Sequence, residues 1–356
     1  MPYYVSNMTH DIDFSKTVYF TDIHYGLRNN SREHNASCEQ FIDWMIEQAE
    51  EWGSKNCIFG GDWHHNRSAI NVSTLNYSVS GLKKLNAYFD NVFFLIGNHD
   101  LFYRDKYEIH SIPYIKEFPN IHLIEKQEVF DGVSFVPWMI GDDWKSVPSI
   151  KAPYLFGHFE LPRFKMSAMV EMPDHGLLNE THFANQQQVF TGHFHKRQNR
   201  NKIWYTGNCF PHDYSDAWDD NRGIMLWEPG NDPTFRAWPG APKYRVAPLS
   251  KVLEDPTAVI DQLTYARIAV DIDINYEEAN FLKELFEREL NAREINLQVA
   301  KADAQGAIPE DGINFESVDT IVISHLQSIE SNTIDRQQLI QIYQSIWHAE
   351  NQICIT

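Results

Sequence analysis

The chain has 356 residues, and 43% of them are hydrophobic, which predicts one large globular domain together with a smaller one. Its formal net charge of −19 argues against a protein that coats DNA through an overall basic surface, although local charge matters more than the total at a metal site. There is no apolar run long enough to cross a bilayer and no basic-then-apolar pattern near Met1. With four scattered cysteines, this predicts a cytoplasmic protein with free thiols.

Short β-branched and aromatic runs predict five buried strands in the first two hundred residues. They cover residues 18–21, 57–59, 92–96, 154–156 and 189–191. Apolar residues at helical spacing predict helices over residues 38–52 and 75–89, between the first three strands. This alternation of strands and helices favours an α/β fold.

Hairpins and further strands are predicted over residues 127–139 and 203–226, followed by a change of composition near residue 245. A strand over 267–274, a helix over 276–292 and a strand over 295–299 then predict a second, small α/β unit. We therefore expect a main domain over 1–245, a cap domain over 246–302, a linker over 303–332 and a docking helix over 333–356. The apolar stripe of that helix consists of Leu339, Ile342, Tyr343, Ile346 and Trp347.

Each of the five predicted strands ends in a short motif of histidine, carboxylate or amide residues. In chain order the motifs are Asp22-Ile23-His24, Gly61-Asp62-Trp63-His64-His65, Gly97-Asn98-His99-Asp100, Gly157-His158 and Gly192-His193-Phe194-His195. Because α/β sheets bind ligands at the carboxyl ends of their strands, we expect the five motifs to meet at one edge.

These residue types suit phosphoryl chemistry. Two divalent ions roughly 3.5–4 Å apart can clamp a phosphate, and they need a bridging carboxylate with carboxylate, amide or imidazole ligands around it. Imidazole combined with carboxylate favours manganese, iron or zinc over calcium. Any one of the motifs alone is more often ordinary surface or core chemistry, so the prediction depends on all five occurring in this order.

The ordered motifs resemble those of the calcineurin-like metallophosphoesterase superfamily. The surrounding residues are similar to its SbcD-type DNA repair nucleases, and in particular to the recombination endonuclease subunits of T-even-like bacteriophages; these contexts are residues 97–103, 136–139, 157–161 and 205–207. The resemblance covers the chain to about residue 245 and the remainder more loosely. It implies a four-layer α/β sandwich flanked by helices, with a small α/β cap and a C-terminal helix.

The resemblance also implies a site for two divalent ions, manganese in particular. The first ion would be held by Asp22, His24, Asp62 and His195, and the second by Asp62, Asn98, His158 and His193. His99 would be the catalytic histidine, and His65 would help to position the substrate phosphate. The adjacent His64 is expected to face solvent from a loop.

The implied function is a manganese-dependent DNA exonuclease or endonuclease subunit that processes DNA ends in recombination and double-strand-break repair, in the host cytoplasm if the chain is phage-encoded. Its implied partners are DNA, an SbcC-type coiled-coil ATPase on the docking helix, and a second copy of the chain through the nuclease domain. Two alternatives remain open: a phosphatase or phosphodiesterase acting on a small phosphoester, and a catalytically silent adaptor for the ATPase. The proposed DNA contacts are Arg28, Arg67, Arg104, Lys196 and Arg197, with Arg32, Lys106 and Arg200 as further candidates.

Overall fold

The computed structural model of the chain describes residues 12–166 and 170–299. The predicted linker and docking helix therefore lie outside the described residues. The described residues divide into two compact units. The first is built from those up to Val246 together with Gln262–Tyr265, and the second from Ala247–Asp261 and the described residues after Tyr265. Among the helices of the described part, none is long and apolar enough to span a membrane.

Twelve strands of the first unit form two six-stranded sheets. The strands are β1 (Thr17–Phe20), β2 (Asn56–Phe59), β3 (Asn91–Leu95), β4 (Ile121–Ile124), β5 (Glu128–Phe130), β6 (Val133–Val136), β7 (Tyr154–His158), β8 (Gln188–Gly192), β9 (Gln198–Arg200), β10 (Ile203–Tyr205), β11 (Gly223–Trp227) and β12 (Thr234–Ala237). One sheet has the order β12-β11-β1-β2-β3-β4, and the other has the order β5-β6-β7-β8-β10-β9. Strands β1 to β4 run parallel, as do β6, β7, β8 and β10, so their carboxyl ends meet at one edge of each sheet.

The helices of this unit are α1 (Leu27–Asn30), α2 (Arg32–Trp52) and α3 (Val72–Tyr88), with short 3-10 turns at Pro113–Glu117, Asp143–Ser149, Glu180–Phe183 and Tyr214–Asp216. Helix α2 begins six residues before the predicted start because Ser31 caps it: the Ser31 hydroxyl accepts the backbone N–H of His34. It ends at Gly53, whose left-handed backbone closes the last turn.

Alternate side chains along the strands face different cores. Val18 and Phe20 of β1 pack with Phe41 and Met45 of α2, whereas Tyr19 points into the apolar layer between the two sheets. The outer face of the second sheet is covered by its own core, which includes the 3-10 segments around Val147 and Phe183. The result is four layers: helices, sheet, sheet, and 3-10 turns with loops. The predicted α/β sandwich flanked by helices is confirmed.

Residues before β1 contribute to this core. The Phe14 ring is 4% exposed and lies 5.2 Å from the ring of Phe93 in the layer between the sheets. The Ile12 amide donates to the Asp131 carboxylate at 2.7 Å. Part of the segment that precedes the first strand is therefore structural.

The second unit contains α4 (Leu249–Glu254), α5 (Pro256–Val259), α6 (Tyr276–Glu289), the strand β15 (Glu294–Val299) and the final residues of the strands β13 (Lys243–Pro248) and β14 (Thr264–Val270). Strands β13 and β14 both begin in the first unit, and the sheet order is β13-β14-β15. Ile268 and Phe286 lie in its core, as alternation and helical spacing require. The predicted strand over 267–274 ends early, at Val270, and Ile272 is 37% exposed. Within α6, Phe281 is 62% exposed.

Candidate metal centre

The predicted motifs of both sheets meet at the carboxyl ends of the parallel strands. The segments that follow β1 and β2 stay hydrogen-bonded to each other beyond the ends of the strands. The Asp22 backbone amide donates to Gly61 O at 2.9 Å, and the His24 backbone amide donates to Asp62 O at 3.1 Å. His158 closes β7 in the other sheet, and its Nδ1 donates to Gly60 O at 2.8 Å. This hydrogen bond joins the strand ends of the two sheets at the site.

Asp62 lies at the centre of the cluster. Its Oδ2 atom is 3.7 Å from His24 Nε2 and 3.4 Å from His158 Nε2. On the side of His24, Asp22 Oδ1 lies 3.9 Å from His24 Nε2 and 3.8 Å from His195 Nε2. Asp62 thus lies between His24 and His158, a position that suits a carboxylate shared by two metal ions.

Asn98 completes the group on the side of His158. Its Oδ1 atom lies 3.0 Å from His158 Nε2 and 2.9 Å from His193 Nδ1. The ligand atoms of Asp62, His158 and His193 lie within 4.8 Å of one another, as do those of Asp22, His24 and Asp62. All seven residues predicted as ligands thus lie in one cluster that draws on both sheets.

Two of the imidazoles in this cluster, those of His24 and His193, are held neutral by burial. Burial lowers the pKa of His24 well below its ordinary value, and it lowers the pKa of His193 to about 3. His158 differs: burial works against its charge, but Asp62 outweighs burial and raises the His158 pKa to about 9. Since Nδ1 of His158 faces a carbonyl oxygen and must carry a hydrogen, the titrating proton is on Nε2, which faces Asp62 and Asn98.

Four of the predicted ligands have a left-handed backbone, which non-glycine residues rarely adopt. The φ angles are 55° at Asp22, 51° at His24, 63° at Asp62 and 88° at His193. Each such residue costs about 1–3 kcal/mol, and such conformations cluster at functional sites. The left-handed backbone changes the direction of the chain at these four positions, all of which contribute side chains to the cluster.

Glycine is required at two positions because the carboxylates approach the backbone closely. A Cβ atom at Gly97 would overlap the Asp62 carboxylate and its amide nitrogen, and one at Gly192 would overlap the Thr21 hydroxyl and crowd Asp22. Thr21 Oγ1 donates to Asp22 Oδ2 at 2.7 Å, which fixes the rotation of that carboxylate. These contacts explain the glycine that precedes two of the motifs.

Asp100 is a positioning residue that sequence reasoning did not single out. It is fully buried, and its carboxylate accepts four backbone N–H groups, those of Asp62, Trp63, His64 and Gly97, at 2.9–3.2 Å. These bonds hold the turn after β2 against the turn after β3. The signal was present in the sequence, because Asp100 closes the Gly-Asn-His-Asp motif.

The two predicted catalytic histidines lie together beside the cluster. His99 Nδ1 donates to His65 O at 2.7 Å, and the backbone amide of His99 donates to Asp62 Oδ1 at 2.7 Å. The two rings stack at 5.3 Å, and both are partly exposed. Burial, with His99 beside it, lowers the pKa of His65 to about 4. Because Nδ1 of His99 is engaged, its Nε2 is the nitrogen available to a substrate.

The expectation that His64 faces solvent is wrong. His64 is 1% exposed, and both its ring nitrogens are bonded, Nδ1 to Ser111 Oγ and Nε2 to Ser78 Oγ, each at 2.9 Å. Trp63 also donates to Ser78, at 2.7 Å. Helix α3, which carries Ser78, covers this side chain, while the adjacent His65 points to the opposite side.

Other aromatic contacts surround the cluster. The Trp138 ring lies 5.0 Å from the ring of His193 and 5.9 Å from that of His158. Tyr205 Oη donates to Phe159 O at 2.9 Å and accepts the Leu161 amide at 3.1 Å, which fixes the chain after His158. Both aromatic residues lie in the sequence contexts that carried the family resemblance.

His212 also belongs to this region, although no motif in the sequence indicates it. It lies in the loop after β10, and a ligand atom of its ring lies within 4.8 Å of those of His24 and His195. No spacing rule connects a histidine in this loop with the Gly-His-Phe-His motif.

The basic residues proposed as DNA contacts differ in their surroundings. Arg104 is exposed, and Arg67 is partly buried near Asp62 and Arg104, with burial lowering the Arg67 pKa. Arg28 stacks on the Tyr265 ring at 4.0 Å. Arg197 lies over the Phe235 ring at 4.2 Å and donates to Thr206 O and to Asn221. Lys196 is partly buried beside His195, and Arg32, Lys106 and Arg200 are exposed.

The cluster fits a divalent metal site. Within the described residues, neither ring nitrogen of the buried His24 has a hydrogen-bond partner, although both Asp62 and Asp22 lie beside it. Burial raises the pKa of Asp22, whereas His158 and His195 act in the opposite direction. A divalent ion would satisfy buried carboxylates and imidazoles that converge on one centre. These residues therefore form a candidate site for divalent metal ions, without specifying which metal.

No protein-family model matches the chain, and no curated protein matches it. One similar solved structure is the crystal structure of the Pseudomonas putida nuclease MPE, which is 17% identical, with a TM-score of 0.29, over 55% of this chain and 70% of that one.

Proposed function

We propose that the chain is a metal-dependent phosphodiester hydrolase. The observation that carries the proposal is the position of Asp62, whose carboxylate lies between His24 on one side and His158 on the other. Two carboxylates, an amide and four imidazoles around one centre match the ligand chemistry of a two-ion phosphoesterase site.

In the proposed arrangement, the first ion is held by Asp22, His24, Asp62 and His195, and the second by Asp62, Asn98, His158 and His193. We infer manganese as the physiological metal from the family resemblance; the ligand types agree with it, since imidazole with carboxylate favours manganese, iron or zinc over calcium. When bound, such ions polarise a phosphoester and lower the pKa of water at the site.

The protein's own residues would then handle the leaving group and the phosphate. His99 has its Nε2 available to a substrate, because its Nδ1 is fixed on His65 O. We assign it the protonation of the leaving oxygen or the stabilisation of charge on the phosphate, a role that typically contributes 10²–10⁴-fold. His65, stacked on His99, would hold the phosphate in place.

We further propose that the substrate is DNA, and that the chain is a nuclease subunit that processes DNA ends in recombination and double-strand-break repair. Support comes from the loop that follows His99, where Arg104 is exposed, Arg67 lies near it, and Phe102 is 41% exposed. Cationic and aromatic groups together suit phosphates and unstacked bases.

The proposed protein partners are an SbcC-type coiled-coil ATPase, on the stripe formed by Leu339, Ile342, Tyr343, Ile346 and Trp347, and a second copy of the chain. If the first proposal is correct, a chain lacking residues 333–356 keeps phosphodiesterase activity but no longer co-purifies with the ATPase. Retention of the ATPase by the truncated chain would remove the proposal.

The decisive experiment is a hydrolysis assay with Mn²⁺ or Mg²⁺ on linear duplex DNA, single-stranded DNA and a chromogenic phosphodiester, with and without the ATPase. Wild-type protein is expected to cleave DNA with Mn²⁺, and His99→Ala to lose at least about 10²-fold in rate. His175→Ala, at an exposed position, is the matched control and should cleave like wild type.

The same assay distinguishes the alternatives. Turnover of the chromogenic phosphodiester without DNA cleavage would indicate a small-substrate phosphodiesterase or phosphatase. Absence of hydrolysis under every condition, with ATPase binding intact, would indicate a silent adaptor and would overturn the proposed activity.

A further inference from the structure

One histidine at the cluster is not used by the proposed ligand sets. His212 is 2% exposed, and within the described part of the chain neither of its ring nitrogens has a hydrogen-bond partner. A buried polar group without a partner costs about 1–3 kcal/mol, so its presence needs an explanation. A phenyl ring would fill the same space without that cost.

The ring lies beside two proposed ligands of the first ion. A ligand atom of His212 lies within 4.8 Å of those of His24 and His195. The His212 ring meets the other two almost edge-on, with ring centres 5.4 Å from His24 and 5.3 Å from His195.

A buried ion-pair network holds the loop that carries His212. The backbone amide of His212 donates to Asp216 Oδ2 at 3.0 Å, and Asn208 Nδ2 donates to the same oxygen at 3.0 Å. Asp216 is paired at 3.2 Å with Arg222, which is 1% exposed. The backbone N–H of Asn208 in turn donates to His195 O at 3.1 Å. The network therefore fixes the backbone of His212 relative to that of His195.

The neighbouring His34 provides a contrast. It is also buried and lies 5.5 Å from the His212 ring, but its Nε2 is bonded to His24 O at 3.0 Å. His34 thus has a structural role, whereas His212 packs on His34 and Phe210 by ring contact alone. What distinguishes His212 is its unpaired nitrogens beside two proposed ligands.

We propose that His212 is an additional ligand of the ion held by Asp22, His24 and His195, an inference that rests on the proposed function. Three imidazoles at one ion favour transition metals such as manganese, iron or zinc over magnesium, because magnesium prefers oxygen ligands. His212 would then make this ion site more selective for a transition metal than the site of the second ion.

The test is direct metal binding to the full chain, without substrate. His212→Phe keeps the aromatic packing and removes the nitrogens, and His122→Phe is a matched control at a histidine that stacks on Phe93 away from the cluster. Titration calorimetry with Mn²⁺ and metal analysis of the purified protein should show two ions for wild type and the control. For His212→Phe, one of the two should bind at least about tenfold more weakly, with a smaller change for Mg²⁺. His212→Asn, with circular dichroism to check folding, replaces His212→Phe if the latter does not fold.

Unchanged Mn²⁺ binding by folded His212→Phe would overturn the inference. It would also be overturned if wild type bound three ions and the variant lost only the third, since His212 would then belong to a separate site. Wild-type protein that binds two ions but hydrolyses no phosphodiester would remove the proposed function alone. Wild-type protein that binds no divalent ion would remove both.

Discussion

Replacing His158 by asparagine in metal-free protein tests the electrostatics of the site. His158 Nε2 lies 3.4 Å from Asp62 Oδ2, and both side chains are at most 2% exposed. Without a metal, Asp62 stabilises the protonated imidazole even though burial opposes its charge, and the pKa of His158 rises to about 9. The protonated pair should therefore contribute to the stability of the metal-free fold.

The sign and size of the effect follow from linkage. A histidine whose pKa is raised by folding stabilises the folded state fully below its unfolded pKa, and this stability disappears as the pH rises through the folded value. The difference between 6.5 and about 9 corresponds to about 3 kcal/mol, lost between those two pH values. His158→Asn has no such proton and should not show this loss.

The measurement is urea unfolding at pH 6 to 9 in EDTA. The free energy of unfolding of wild type should fall relative to that of His158→Asn by about 3 kcal/mol across this range. With Mn²⁺ in excess the trend should reverse, because a ligating imidazole must be neutral and higher pH then favours binding. His122→Asn is the control: burial lowers the pKa of His122, so its charge does not change above pH 6.5. Parallel curves for wild type and His158→Asn in EDTA would refute this reasoning.

Four further substitutions test other parts of the site. Asp100→Asn removes two of four acceptor positions for buried N–H groups and should lower stability by about 2–4 kcal/mol, or the melting temperature by about 10 °C; the same change at the exposed Asp90, measured by calorimetry, should be nearly neutral. Gly97→Ala should displace Asp62 and weaken Mn²⁺ binding in titration calorimetry, and full retention of both ions would contradict the close contact. Arg67→Ala should weaken DNA binding, and the slope of log K against log salt concentration, measured by fluorescence anisotropy, should become shallower by about one. Hydrolysis of a chromogenic phosphodiester by this variant should not change. If His99→Ala lost bound metal instead of rate, its assignment to proton transfer would be wrong.

The strands and the position of the site were predictable from local patterns. Continuous apolar runs, as at residues 92–96, predict buried strands because parallel sheets are covered on both faces. The motifs follow those runs directly, and strand direction brings them to one edge. The boundary errors have local causes, such as the Ser31 cap that begins α2 early and the end of β14 at Val270.

Neighbouring residues show where this reasoning stops. His64 and His65 are adjacent in the sequence, yet one lies in a buried hydroxyl network and the other beside the cluster. Which of the two is covered depends on Ser78 of α3 and on Ser111, which no spacing rule connects to them. A solvent-facing His64 was therefore a reasonable expectation from the sequence but a wrong one.

The sequence by itself determined the chemistry available to this protein: carboxylate, amide and imidazole side chains at the ends of five short strands. Only the tertiary structure decided which side chains share a centre, because that depends on contacts between distant segments. Asp62 lies between His24 and His158 since two separate sheets meet there, and His212 joins them through a loop held by Asp216 and its buried partner Arg222. Local patterns report the direction and burial of a strand, whereas loop positions are set by long-range packing and buried ion pairs.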